Sequence, residues 1–215
     1  MHEKSKEHKN LALFDFDGTL CTKDSFTGFI FYALSKRHII KQGIKILPWI
    51  QAYYLKAYPA NMMRPRLYKA MFKNTNIVEI ENIAQDYVKN LMTHLNPALL
   101  HRLEQHQQLG DDVVLVSASI DIYLKFVADS LGIKLICTQT EVKNNQYTGY
   151  YKTPDCSSEQ KAIRILEQYN LSDYEDVYAY GNSDEDLAML DLATYSYYVG
   201  KDTQLPALEQ LKQFA

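Results

Sequence analysis

The chain has 215 residues, 47% of them hydrophobic and 23% charged, ordinary values for a folded protein and enough length for one α/β core with a second, smaller module. Its net charge of −3 gives no global basic field, so no nucleic-acid partner is expected. Cys21, Cys137 and Cys156 are scattered, without CxxC or Cys/His metal spacing, which excludes a zinc framework and fits a reduced, cytoplasmic setting.

The opening MHEKSKEHKN is polar and lacks the apolar stretch of a secretory signal, so it reads as a solvated lead-in. Residues 11–16 form a short apolar run stopped by Asp-Gly, the pattern of a buried strand. Residues 25–94 are helical in pattern almost throughout, with apolar positions at 26, 29, 30, 33 and 34, through 39–57, around 62–72 and over 77–92. Pro48, Pro59 and Pro65 are expected to end or kink those helices. No run of about 18 apolar residues occurs, so no transmembrane helix is expected.

After Pro97 a helix runs to about Gln108 and stops at Gly110; 113-VVLVSAS-119 is a buried strand; Ile120 to Leu131 is a helix closed by Gly132. Residues 133–138 form another strand, and 139–151 a hairpin turning at Asn144-Asn145. Ser157 and Ser158 offer hydroxyl N-caps to a following helix. A strand at 176–181, a helix from Asp184 to Asp191, a strand at 195–199 and a closing helix over about 204–214 complete the chain. The tyrosines of 195-YSYY-198 read as strand and core, and the six histidines, which lack ligand spacing, as surface residues.

Strands alternating with helices predict an α/β fold with a doubly wound parallel sheet. The block at 25–94 is too long for one crossover and reads as an insertion. The expected division is residues 1–21 and 95–215 as the core and 22–94 as the helical insert.

In such sheets, sites form beyond the carboxyl ends of the strands. There the sequence places Asp15 and Asp17, Ser117, and the run from Gly181 to Asp186, with Lys161 in the first turns of the helix after Ser157-Ser158. Two carboxylates, a hydroxyl, an ammonium and a second amide/acid cluster suit phosphoryl transfer. One carboxylate can attack phosphorus, and the other can move protons to and from the reacting oxygens. A divalent cation such as Mg²⁺ would offset their mutual repulsion.

These residues resemble the motifs of the haloacid dehalogenase (HAD) superfamily of phosphatases, subfamily IB. 15-DFDGTL-20 is similar to its first motif, 113-VVLVSAS-119 to its second, Lys161 in 156-CSSEQKAIRIL-166 to its third, and 179-AYGNSDEDLAML-190 to its fourth. The resemblance runs from about Asn10 to Lys201 and implies a Rossmann-like core with an inserted helical cap. It implies that Asp15 is nucleophile and metal ligand, and that Asp17 is general acid/base and offers its carbonyl to the metal. Ser117, Ala118 and Lys161 would bind the phosphoryl group. Residue 182 would be the third Mg²⁺ ligand, with Asp186 beside it, while Gly18 and Thr19 shape the turn after the nucleophile. Position 182 departs from the family pattern, with Asn where Asp is usual, so lower metal affinity, a larger share of the metal for Asp186, or a non-catalytic phosphate-binding relative are alternatives. Asp184 and Glu185 read as acids that complement a helix N-terminus.

Asp24 has the spacing at which phosphoserine phosphatases of the subfamily read an amino group, and it can equally cap a helix. Arg64 or Arg66 would then read a carboxylate or a second phosphate. The segment 39–58, with Lys41, Lys45, Lys56, Trp49, Tyr53 and Tyr54, is open to two readings. It resembles the apolar cap segment of phosphatidylglycerophosphate phosphatases and could lie in a membrane interface. A buried cap helix with snorkelling lysines is the preferred reading. The resulting expectation is a Mg²⁺-dependent phosphatase acting on a small phosphorylated metabolite, such as a phospho-amino acid or histidinol phosphate. A membrane-associated lipid phosphate phosphatase is the alternative, and nothing in the sequence fixes the oligomeric state.

Overall fold

The computed structural model describes residues 9–208. The polar lead-in before Lys9 and the closing-helix residues 209–214 lie outside the described residues, and 204–208, where that helix was expected to begin, are not helical. The strands are β1 (Leu11–Phe14), β2 (Asp112–Ile120), β3 (Lys134–Thr138), β4 (Thr140–Lys143), β5 (Gln146–Tyr151), β6 (Val177–Gly181) and β7 (Tyr195–Tyr198). Five of them make one parallel sheet in the order β3-β2-β1-β6-β7, and β4 and β5 form a separate antiparallel hairpin.

The order explains where a site can form. Connections from β1 run outward through β2 to β3, and the chain then returns to the other side of β1 for β6 and β7. The carboxyl ends of β1 and β6 therefore flank the topological switch point. All four β1 residues are buried because both sheet faces are covered. Leu11 and Leu13 join Val114, Val116 and Ile165 on one face, while Ala12 and Phe14 join Leu115, Leu99 and Leu103 on the other, the two-residue alternation of a strand.

Helices α1 (Ser25–Ala33), α2 (Lys36–Tyr54), α3 (Ala60–Phe72) and α4 (Ile77–Leu91) lie between β1 and β2 in the chain. They are followed by α5 (Pro97–Gln108), α6 (Asp121–Leu131), α7 (Glu159–Gln168) and the short α8 (Leu187–Leu190). The insert shares the core of the sheet: Phe29 of α1 stacks on Phe72 of α3 at 5.5 Å between ring centroids and meets Tyr123 of α6 at 5.1 Å. The hairpin joins it too, through the Asn74 N–H on the Tyr147 carbonyl and the Tyr147 N–H on the Thr75 carbonyl.

Several local expectations are corrected. Of the two outcomes expected of the prolines, ending a helix fails at Pro48 and Pro65, which sit inside α2 and α3, since one missing N–H removes a single hydrogen bond of a packed helix; Pro59 does separate the two. Ser158 precedes α7 with φ 51° and ψ −129°, not the extended backbone usual for a capping serine, and it makes no side-chain cap. His106 is fully buried, held between Asp111 Oδ2 at 2.7 Å and the Tyr180 hydroxyl at 2.9 Å, because α5 lays it on the sheet beside both partners. The preferred reading of 39–58 as a buried helix also fails: within α2 only Ile46 is buried, since the helix packs chiefly on α3 and one neighbour covers one face.

Candidate active site

Asp15 continues β1, its N–H donating to the Tyr180 carbonyl of β6 at 2.9 Å. The chain then turns tightly, with Cys21 N–H on the Phe16 carbonyl at 2.8 Å and Gly18 N–H on the Cys21 carbonyl at 2.7 Å. Gly18 is required twice. Its φ is +83°, and a Cβ there would come within 2.1 Å of Asn182 Nδ2. The turn brings Asp17 to the same cleft as Asp15, although the two would point to opposite faces of a regular strand.

Lys161, 1% exposed, spends its ammonium on three acceptors: Asp15 Oδ1 at 2.6 Å, Asp186 Oδ1 at 2.6 Å and the Val116 carbonyl at 3.0 Å. Burial alone would lower its pKa, but Asp15 and Asp186 outweigh that and hold it protonated. The other oxygen of Asp15 accepts the Thr19 hydroxyl at 2.8 Å, and the same hydroxyl lies 3.1 Å from Asn182 Oδ1. Burial, with help from Asp186 and Asp17, pushes the Asp15 carboxyl up to about 7 against the opposing charge of Lys161.

Asp186 is positioned differently. Its Oδ2 accepts the N–H groups of Asn182 and Ser183, each at 2.9 Å, and the Ser183 hydroxyl at 3.0 Å. Burial raises its pKa, but Lys161 and those N–H donors prevail and hold it below the usual carboxylate range. With both oxygens engaged, it anchors Lys161 and the loop after β6 rather than standing open.

Asp17 accepts the Ser119 hydroxyl and the Ser25 N–H, both at 2.6 Å. Burial raises its pKa above the ordinary value despite these two donors. Ser25 is itself fixed by the Tyr123 hydroxyl at 2.8 Å, so the first turn of α1 is tied to the acid. Ser117 lines the cleft, its oxygen accepting the Ser119 N–H at 3.1 Å, and Ala118 lies beside it.

The cleft has a volume of about 330 Å³. Its floor comes from Asp15, Asp17, Ser117, Ala118, Lys161 and Asp186, and its roof from Asp24, Phe26, Tyr53, Tyr54, Met63 and Arg64 of the inserted helices. Asp24 lines the cleft and also caps α1, accepting the Thr27 N–H at 2.9 Å and the Thr27 hydroxyl at 2.7 Å.

Arg66 does not reach the site. Two residues from Arg64 on one helix, it points away, lies over Trp49 at 4.1 Å and donates to the Tyr58 hydroxyl at 3.2 Å. Arg64 is in the cleft wall but already committed: it forks onto Asp155 at 2.7 and 2.8 Å and onto Glu185 at 3.0 and 3.1 Å. Glu185 is therefore a strap partner and not simply a helix-terminal acid. The sequence reading missed Ser25, Ser119 and Asp155; only Ser119 left a signal, two residues beyond Ser117 on the same strand.

The family profile of haloacid dehalogenase-like hydrolases matches residues 12–191. A histidinol-phosphatase of Neisseria meningitidis serogroup C (strain 8013) is 24% identical over 212 residues, covering 92% of this chain and 93% of that protein. A solved protein of unknown function from Bordetella pertussis Tohama I superposes with a TM-score of 0.76 at 22% identity, over 96% of this chain and 95% of that one. A solved phospho-aspartyl intermediate analogue of phosphoserine phosphatase gives a TM-score of 0.59 at 18% identity, over 88% and 86%. With the profile spanning every strand end that carries the cluster, the chain belongs to the haloacid dehalogenase-like hydrolase family.

Proposed function

We propose that the protein is a Mg²⁺-dependent phosphatase that hydrolyses a small phosphate monoester through an aspartyl-phosphate on Asp15, with the helices of residues 22–94 as its cap. The observation that carries this reading is the meeting of Asp15, Asp17, Ser117 and Lys161, from three separate chain segments, in one cleft at the switch point of the sheet.

The donor set fits Mg²⁺. A carboxylate oxygen of Asp15 and the amide oxygen of Asn182 share the Thr19 hydroxyl, so two hard oxygens lie side by side. Mg²⁺ takes oxygen ligands, few of them protein carboxylates, and keeps several waters. Asp15, Asn182 and the backbone carbonyl of Asp17 would hold the ion. Once bound, it supplies positive charge against the phosphate and the two carboxylates.

In the first step an Asp15 oxygen attacks phosphorus, the bond from phosphorus to the leaving oxygen breaks, and Asp17 gives that oxygen its proton. Asp17, now ionised, takes a proton from a water that attacks phosphorus, and the bond to Asp15 breaks to release inorganic phosphate. Burial raises the Asp17 pKa above the ordinary carboxylate value, the direction that favours a general acid. Ser117 and the Ala118 N–H stabilise the phosphoryl oxygens, and Lys161 turns to them the donor it now gives Asp15 once Asp15 is bonded to phosphorus. Gly18 and Thr19 hold the turn, and Asp186 positions Lys161.

Two observations support a phosphorylated amino alcohol such as histidinol phosphate over a phospho-amino acid. Asp24 lines the cleft as an acidic wall, and Arg64 is engaged by two protein carboxylates and so unavailable to a substrate carboxylate. The histidinol-phosphatase relative agrees with that preference. The three described cysteines are free and buried, in keeping with a cytoplasmic setting.

Hydrolysis of an aryl phosphate with Mg²⁺ and with EDTA, by the wild type and Asp15→Asn, tests the chemistry. Activity that survives in Asp15→Asn sinks the nucleophile assignment. A panel of histidinol, amino-acid, sugar and lipid phosphates then tests the substrate, and failure to hydrolyse any of them would favour a phosphate-binding relative.

A further inference from the structure

Residues 25–78 contain nine lysines and arginines and no aspartate or glutamate, in a chain whose net charge is −3. This stretch builds α1, α2 and α3, which carry no acidic side chain of their own, although Arg64 is paired with Asp155 and Glu185 from outside it. Within it, α2 has two apolar faces. The inner one packs on α3 through Ile46, 7% exposed. The outer one consists of Ile40, Ile44, Leu47, Tyr54 and Leu55, exposed by 63, 67, 45, 78 and 78%. At about 100° per residue these five fall within an arc of roughly 100°, a stripe that is interrupted by the exposed Gln51 and runs to Leu55 just past the helix, with Lys36 and Arg37 at its start. Lys41 and Lys45 are exposed on the adjoining face, and Lys56 is exposed just past the end of the helix.

We propose that this outer face of α2 docks on the surface of an anionic lipid bilayer. The helix would lie in the interface plane, its stripe in the boundary between headgroups and acyl chains and its lysines on anionic headgroups. Charge selects this occupant. A second copy meeting α2 across a twofold axis would set lysine against lysine, whereas anionic lipid complements a segment with no acidic side chain. A spanning role does not apply, since among the described residues no helix is long and apolar enough to cross a membrane. Tyr53 and Tyr54 at the end of α2 line the catalytic cleft, so docking brings its mouth to the bilayer. The inference goes beyond the proposed hydrolysis and does not depend on it.

Flotation of the full chain with phosphatidylcholine vesicles, with and without phosphatidylglycerol, tests the proposal. Binding is expected only to vesicles containing phosphatidylglycerol, and it weakens as salt is added. At roughly fivefold per lysine near the surface, Lys41→Glu with Lys45→Glu lowers partitioning at least about 25-fold. Ile40→Ser with Ile44→Ser lowers it about tenfold or more. Lys201→Glu, on the exposed loop after β7, leaves it unchanged, and circular dichroism checks that each variant folds. No phosphatidylglycerol-dependent binding by the wild type, or equal binding by the α2 variants, overturns the proposal. A dimer lost in the α2 variants, without vesicle binding, overturns it in favour of self-association.

Discussion

Replacing Asp15 by Asn should stabilise the metal-free protein even as it removes the proposed nucleophile. Asp15 is 6% exposed, and burial raises its carboxyl from an ordinary 3.8 to about 7. The folded chain therefore keeps this proton to higher pH than the unfolded chain. The contribution of Asp15 to stability is fully present below about 3.8, is lost as pH rises toward 7, and stays lost above that. A pKa difference of roughly 3 corresponds to about 4 kcal/mol once the carboxyl is ionised. The amide keeps the shape and removes that penalty, but it gives Lys161 a weaker partner, so the net gain at pH 8 is about 1–3 kcal/mol. For a chain of this size that is a rise in Tm of roughly 3–10 °C. Thermal unfolding of wild type and Asp15→Asn in EDTA, at pH 8 and pH 5, measures it. A gain at pH 8 that shrinks at pH 5 is expected. Destabilisation at pH 8, or an equal change at both pH values, would refute burial of an ionised Asp15 as the source.

Asp17→Asn should slow phosphoryl transfer from an alkyl phosphate by about 10²–10⁴, and from an aryl phosphate much less, because only the alkoxide needs a proton to leave; single-turnover release of the two alcohols checks this, while steady-state turnover falls for both esters because the water step also needs Asp17. Asn182→Asp adds a charged ligand beside Asp15 and should lower the Mg²⁺ concentration for half-maximal activity by about tenfold; an unchanged Mg²⁺ titration would remove residue 182 from the metal site. Arg64→Ala strands Asp155, whose side chain is 7% exposed, and frees the strap from α3 to Glu185. It should cost about 3 kcal/mol in urea unfolding, with Arg64→Lys recovering only part, since one ammonium cannot form two forks.

The parts legible in the sequence are those whose physics is local. The strands β1, β2 and β6 are buried on both faces, so they appear as unbroken apolar runs, and the Asn144-Asn145 turn has φ above 50° at both residues. The site was legible because its motifs stand at strand ends, where the chain must turn. What stayed hidden depends on distant partners. The Arg64 strap joins residues 91 and 121 positions apart. His106 reads as a surface histidine until α5 lays it between Asp111 and Tyr180. The apolar content of α2 suggested burial, but composition does not separate a face that meets α3 from one that meets nothing.

The central claim is that Asp15 carries the phosphoryl group. Brief reaction of Asp17→Asn with a phosphate-labelled aryl phosphate and Mg²⁺, followed by acid quench and peptide mapping, tests it most directly, since the aryl ester needs no acid to phosphorylate Asp15 while loss of Asp17 slows the water step and lets the intermediate accumulate. The account predicts label on the peptide containing Asp15, stable in acid, discharged by hydroxylamine, and absent when Asp15 is also replaced by Asn. Label on Ser117, or turnover by the wild type with no labelled enzyme at any time, would contradict it.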